Sequence, residues 1–417
     1  MTTAGARDVR EAVVLGGRGL AATTALIRDT HRAIAQRAFR LSGPGARPAE
    51  LTHDAISRAV YATVAAGFRG AAAVSGVAVA ARVAADPSYR PLADRPRGNV
   101  VIGAINGAWG DRLADWRSPL ALGMTVRVDD RDVDITPPAV AVAFPDATGD
   151  VAVFLHGLCE TDASWRLGAR DHYGDPRSTH GSRLRADAGL TPVFVRYNTG
   201  RHVCDNGDDL ESLLDDLVAA WPVPITSLTL VGHSMGGLVV RAACHTATER
   251  ARSWVSLVRR IVYLGSPHLG APLEVGVTKL VAALRRLPET APVADALATR
   301  SVGIKDLRYG DIRVTDWADL EDLDAWRDEP GDCAPLLESA EHFYIGATIG
   351  RRNDTFAARV IGDALVPWSS ASGTGQRRRL ALEVDRGRHL GGLHHFDLLN
   401  HPRVYAVLRG WLATSTG

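Results

Sequence analysis

The strongest constraint on this chain is a rhythm. After residue 150, short runs of β-branched and aromatic residues recur, separated by stretches with helical spacing. The runs are VAVFL from Val151, PVFVRY from Pro192, SLTLV from Ser227, RIVYL from Arg260, FYIGA from Phe343 and LALEV from Leu380. Runs this apolar predict strands buried on both faces, covered by the helices between them. Strands alternating with helices give a mostly parallel sheet with helices on both faces, an α/β architecture. One intervening segment shows the helical pattern: a D-x-x-E start at Asp208 and Glu211, with Leu210, Leu213, Leu214, Leu217 and Val218 on a 3.6-residue period. Upstream, MTVRVDDRDVDITP reads as two alternating strands turned at Asp129 and Asp130, a hairpin opening the sheet.

Two regions stand outside this rhythm. A chain of 417 residues exceeds one ordinary domain, and the division predicted is a helical region over residues 1–118 followed by the sheet domain over 119–417. The first region has helical spacing in LIRDTHRAIAQRAFRL and a break at Gly43-Pro44-Gly45. Its second half, AVYATVAAGFRGAAAVSGVAVAARVAA, has so few polar residues that it must cover itself with the rest of the protein, a second copy or a membrane surface. Because Arg69 and Arg82 interrupt it, its longest uncharged run is short for crossing a bilayer, and a buried or interface-lying helix pair is the expectation. The second region, about residues 271–340, is too long for a simple connection and carries the helical segment VGVTKLVAALRRLPE. It reads as a lid or cap, with Val277, Leu280, Val281 and Leu284 on its covering side and Lys279, Arg285 and Arg286 toward water.

Composition narrows the function. Hydrophobic residues at 46% and charged residues at 23% are those of a folded globular chain. The 48 Lys and Arg nearly cancel the 47 Asp and Glu, so no basic field exists to gather nucleic acid. Cys159, Cys204, Cys244 and Cys333 are scattered and form neither a disulfide framework nor a metal-ligand set; reduced thiols are expected, with a Cys159–Cys204 bridge left open. The start, MTTAGARDVREAVVLGGRG, lacks the unbroken apolar run of a secretory signal, so a cytoplasmic location, with membrane association open, is expected.

The chemistry begins at Gly232-His233-Ser234-Met235-Gly236-Gly237, directly after the SLTLV strand and before the helical LVVRAACHTA. A serine on so sharp a strand-to-helix turn projects its hydroxyl above the sheet, and the flanking glycines let strand and helix approach. The helix start also turns amides toward a developing anion. The alternative is a Gly-rich turn in which Ser234 merely caps the helix.

Other segments share an order with this elbow. His156-Gly157-Leu158-Cys159 closes the VAVFL strand, Leu264-Gly265-Ser266-Pro267-His268-Leu269-Gly270 follows RIVYL, Gly362-Asp363-Ala364-Leu365-Val366-Pro367 follows FYIGA, and His394-His395-Phe396-Asp397-Leu398-Leu399 precedes the last helical stretch. Together, over about residues 120–417, they resemble the lipase and esterase branch of the α/β-hydrolase superfamily, in particular bacterial triacylglycerol lipases and GPI inositol-deacylase-like proteins. The resemblance implies an α/β-hydrolase fold with an inserted helical lid, preceded by the N-terminal helical region. It implies a nucleophile at Ser234, an acid at Asp363 and a base at His395, with oxyanion amides from Leu158 and Met235. Asp385 is the alternative acid and His394 the alternative base. His156 is read as shaping its turn, and His401, beside Pro402, as part of a helix start. Metal binding by His394 and His395 is disfavoured because adjacent loop residues seldom both ligate.

The implied reaction is hydrolysis of a carboxylic ester, with a lipid or long-acyl ester suggested by the apolar lid and N-terminal helices, and no metal or organic cofactor. An acyltransferase or thioesterase would use the same residues. A membrane-associated binding protein with an inactive hydrolase domain is the alternative of another kind.

Overall fold

The computed structural model describes residues 2–41, 47–85, 96–271, 299–321, 327, 331–350, 363, 365–375 and 378–413. The chain divides into two compact units: Met1–Gly98 with Asp115–Leu120 and Val275–Arg300, and Asn99–Ala114 with Ala121–Glu274 and Ser301–Gly417. The lid helix expected around Val277 to Leu284, like the break at Gly43 to Gly45, lies outside the described residues.

In the smaller unit α1 (Thr2–Leu41) packs antiparallel on α2 (Arg47–Ala84). Gly17 faces Ala72, and the Tyr61 hydroxyl lies 3.3 Å from His31 Nδ1. Burial of the apolar half of α2 is not what the structure shows. Val60, Val64, Val74 and Val77 are 53%, 42%, 72% and 54% exposed. One partner helix covers only one stripe of a helix that is apolar nearly all round. By length and composition alone, His53–Ala84 suffices to cross a membrane despite Arg69 and Arg82, and only 11% of its most apolar window is buried.

The larger unit is built on an eight-stranded sheet of order β2-β1-β4-β3-β5-β6-β7-β8. The hairpin β1 (Thr125–Val128) and β2 (Arg131–Val133) turns at Asp129 and Asp130, whose φ of 47° and 62° are what a two-residue hairpin turn needs. β1 pairs antiparallel with β4 (Thr191–Arg196). The remaining neighbours run parallel: β3 (Asp150–Leu155), β5 (Ser227–His233), β6 (Val258–Leu264), β7 (Glu341–Thr348) and β8 (Gly387–Gly391).

Side chains alternate between two cores because successive strand residues point to opposite faces. Val151, Val153 and Leu155 of β3 join Leu228 and Leu230 of β5 and Ile261 and Tyr263 of β6 on one face. Ala152 and Phe154 join Val231, Val262 and Leu264 on the other. The first face is covered by α4 (Pro137–Ala143), α7 (Val203–Ala220) and α8 (Met235–Glu249). The second is covered by α6 (His180–Ala188) and the last helix, α11 (Pro402–Leu412). Each aliphatic side chain so withdrawn from water contributes about 1.5–3 kcal/mol. Short helices α5 (Ala169–Tyr173), α9 (Val302–Asp306) and α10 (Trp368–Ala371) lie in the connections.

Three local expectations need correction. LALEV is not a strand: the place beside β7 is taken by Gly387–Gly391, with Gly387 opposite Tyr344. Leu380 and Leu382 are buried on an irregular segment, and their alternation imitates a strand. α7 begins at Val203, not Asp208, because the Asp306 carboxylate accepts the Val203 amide at 2.8 Å and starts the helix from across the fold. Glu211 caps nothing; fully buried, it accepts from Arg250 at 3.1 Å and pairs with Arg252. All four cysteines are free.

Residues 99–114, within α3 (Pro96–Asp115), belong to the larger unit, on the N-terminal side of the 118/119 division drawn from sequence. Asn106 is fully buried there and its side-chain oxygen accepts the Leu122 amide at 2.9 Å; Asn198 donates to the Gly110 carbonyl at 2.9 Å.

Candidate active site

The C-terminal ends of the parallel strands bring the sequence-derived candidates together. Ser234 is the single residue between β5 and α8, and its φ of 52° and ψ of −122° lie where non-glycine residues are strained. The turn is this tight because α8 starts against β3: a Cβ on Gly236 would stand 2.5 Å from the Leu155 carbonyl oxygen and 2.6 Å from that of His156. The Ser234 amide donates to the Leu264 carbonyl at 2.8 Å, tying the elbow to the end of β6.

His395 reaches the same place from the other side. It opens the one-turn helix His395–Leu399, is 2% exposed, and its ring atoms come within 3.2 Å of where a Cβ on Gly265 would stand. Ser234 and His395 therefore both border the end of β6, Ser234 at Leu264 and His395 at Gly265. His395 Nδ1 lies 2.7 Å from Asp363 Oδ2, and the His395 amide donates to the Asp363 carbonyl at 3.0 Å. The other carboxylate oxygen of Asp363, itself 1% exposed, accepts the amides of Leu365 at 3.1 Å and Val366 at 2.8 Å. With Oδ1 held by backbone, Oδ2 receives the Nδ1 proton and Nε2 is left as an acceptor. That nitrogen is buried and has no hydrogen-bond partner among the described residues.

The turn after β3 completes the group. A Cβ on Gly157 would stand 3.0 Å from Ser234 Cβ, so the turn borders the nucleophile directly. The Gly157 amide donates to Glu160 Oε2 at 2.6 Å, the Cys159 amide to Thr199 Oγ1 at 3.2 Å, and the Glu160 amide back to the Gly157 carbonyl at 3.2 Å. Of this turn, Leu158 alone has an amide without a partner among the described residues. Met235, at the first position of α8, has its amide in the helix start beside Ser234. Two amides beside the nucleophile are the arrangement an oxyanion requires.

The alternatives fall elsewhere. His394 is 60% exposed, 3.4 Å from Asp397. Asp385 is exposed on the turn before β8, at the opposite end of the sheet. His401 accepts the Arg403 amide at 3.1 Å as the cap of α11. His156, stacked on Tyr197 at 4.4 Å, is buried and accepts the Tyr197 amide through Nε2 at 3.3 Å, and burial holds its pKa below the usual value. It anchors the turn as a neutral ring. No group of three or more potential metal ligands exists among the described residues.

Sequence reasoning missed a buried pair beside Ser234. Glu160 and His233, 8% and 0% exposed, face each other at 3.0 Å between Oε2 and Nδ1. Their only sequence signal is position: Glu160 stands three residues after Gly157, where a side chain can close its own turn, and His233 precedes the nucleophile.

Sheet order, elbow and turn together are those of an α/β-hydrolase fold. Within it, residues 146–327 match the family model of the PGAP1-like alpha/beta domain. No curated protein matches the chain significantly. Among solved structures it is similar to the mature form of Bacillus licheniformis lipase BlEst2, at 18% identity over 63% of this chain and 91% of that one, with a TM-score of 0.39. The propeptide form of that lipase gives 17% identity over 64% of this chain and 51% of the other, about half its length, with a TM-score of 0.43. Legionella pneumophila phospholipase PlaB gives 13% over 65% and 60%, with a TM-score of 0.39.

Proposed function

We propose that this chain is a serine hydrolase of carboxylic esters acting through Ser234, His395 and Asp363. The observation that carries the reading is the buried His395–Asp363 contact of 2.7 Å, with Nε2 of the same ring buried and without a partner among the described residues. In the reaction, Nε2 takes the Ser234 hydroxyl proton as Oγ attacks the acyl carbon. Asp363 holds the ring in the required tautomer and stabilises the imidazolium, while the Leu158 and Met235 amides receive the oxyanion. Collapse expels the alcohol, which takes the proton from His395 and leaves an ester on Ser234. Water, deprotonated by His395, then releases the acid and restores Ser234.

A lipid or long-acyl ester is the favoured substrate. Support comes from the uncovered apolar residues of α2, which suit a lipid surface and make the chain membrane-associated in this reading. The test is fluorophosphonate labelling of the protein and its Ser234→Ala variant, followed by p-nitrophenyl esters of increasing chain length. The expected result is labelling of the wild type alone and a preference for long chains. Labelling of both forms removes Ser234 from the mechanism, preference for acetate removes the lipid substrate, and transfer to an added alcohol in preference to water makes the chain an acyltransferase. Flotation with lipid vesicles, lost when an exposed apolar residue of α2 is charged in Val74→Asp, tests the membrane contact.

A further inference from the structure

The steps above leave the Glu160–His233 pair without a role, yet it contacts both the turn after β3 and the backbone of His395. Glu160 Oε2 accepts the Gly157 amide at 2.6 Å and faces His233 Nδ1 at 3.0 Å. His233 Nε2 faces the main-chain carbonyl of His395 at 3.3 Å, and the two imidazole rings lie 4.7 Å apart. A carboxylate oxygen and a carbonyl oxygen can only accept. Both nitrogens of His233 must therefore carry a proton for both contacts to be hydrogen bonds. The ring is then an imidazolium, and the Glu160 carboxylate is its counter-charge. Its other ionisable neighbours are Asp363 and His395 from the C-terminal segments and His180 from α6, with Trp165 edge-on at 6.3 Å.

We propose that Glu160 and His233 form an ionic positioning clamp: the imidazolium of His233 holds the His395 backbone while Glu160 holds the Gly157–Leu158 turn, so that base and oxyanion amides stay in register with Ser234. Neither residue touches the reacting atoms, and the inference rests on the serine-hydrolase reading above. The electrostatics agree with the geometry. Burial pushes His233 toward the neutral form, but the facing carboxylate outweighs it and holds the pKa above the usual histidine value. Burial likewise pushes Glu160 up, and His233 outweighs that and holds it below the usual carboxyl value. When pH rises through the raised value, His233 loses one proton and with it one of its two bonds. The clamp then opens and turnover falls on the alkaline side.

Two measurements on the full chain test this. Nitrogen-15 histidine NMR of the wild type, with His233 assigned by His233→Gln, is expected to show both ring nitrogens protonated at pH 7. A single protonated nitrogen there overturns the proposal, whatever the variants do and whether or not the protein turns over esters. Kinetically, Glu160→Gln keeps an acceptor for Gly157 but removes the charge, so His233 becomes neutral. Displacements of the order of 1 Å at a reacting centre cost about 10²-fold in rate. kcat is therefore expected to fall by about that factor at pH 8, with KM little changed and the alkaline limb moved to lower pH, and Glu160→Asp should recover part of the loss. A folded Glu160→Gln protein with the wild-type pH profile refutes the clamp. Absence of fluorophosphonate labelling in the wild type refutes the hydrolase reading and leaves the NMR result standing.

Discussion

Replacing Gly236 by alanine tests the geometry of the elbow with one methyl group. Its Cβ would stand 2.5 Å from the Leu155 carbonyl oxygen and 2.6 Å from that of His156, whereas ordinary contact starts at 3.4 Å. Both obstacles are main chain at the end of β3, so neither can rotate away. α8 must retreat by about 1 Å, a distance worked from those same contacts. Overpacking of this kind costs about 1–3 kcal/mol, which for a domain of this size is a fall in melting temperature of about 2–5 °C. The retreat also carries Met235 and Ser234 with it, and a misplacement of that size reduces rate about 10²-fold. The control is Gly410→Ala in α11, where nothing outside its own helix backbone lies within 4 Å of the added Cβ among the described residues; it should stabilise by about 0.5–1 kcal/mol through helix propensity alone. Thermal melts and fluorophosphonate labelling rates of the three proteins decide the matter. If Gly236→Ala melts and labels like the wild type, the tight packing of elbow against β3 is not what holds Ser234.

Asp363→Asn should leave the fold intact but lower the labelling rate about 10⁴-fold, since an amide no longer selects the tautomer with the proton on Nδ1; a loss under tenfold contradicts the role of the 2.7 Å contact. His180, buried with Nε2 3.2 Å from the Leu398 carbonyl, has its pKa pushed down to about 3 by burial. It binds no proton in the folded state over a range where the unfolded state does, so stability should be lost progressively as pH falls from about 6.5 toward 3. His180→Gln should flatten that part of a denaturation-versus-pH curve, and an unchanged slope argues against it. Leu230→Ala, at a fully buried position in the centre of the sheet, should cost about 2–5 kcal/mol in urea unfolding; a cost below 1 kcal/mol means the site collapses to fill the space.

What the sequence made legible follows from how local each signal is. The strands β3 to β7 carry their own apolar runs, and Ser234 stands between a strand and a helix that are contiguous in the chain. β8 was hidden because Gly387-Arg388-His389-Leu390-Gly391 has none of the residues that favour strands; its place is set by the exposed edge of β7, while Leu380 and Leu382 imitate a strand nearby. The start of α7 was misread because its amide partner, Asp306, lies 103 residues away. The same holds for Glu160 and His233, 73 residues apart: nothing in either neighbourhood announces a buried pair. For α2 the apolar composition was plain, but composition alone does not say what covers it.

The two ends of the sheet bear on how the molecule behaves in a crowded solution. A parallel sheet of such apolar strands would, at a bare margin, offer an unpaired row of amides and carbonyls to any extended chain that drifted by. Here one margin is β2, three residues reading Arg131-Asp132-Val133, and the other is β8, bounded by Gly387 and Gly391 and bearing Arg388 and His389. Both are too short, and too charged or too glycine-rich, to template a further strand. The apolar strands of the sheet are thereby sealed at its borders.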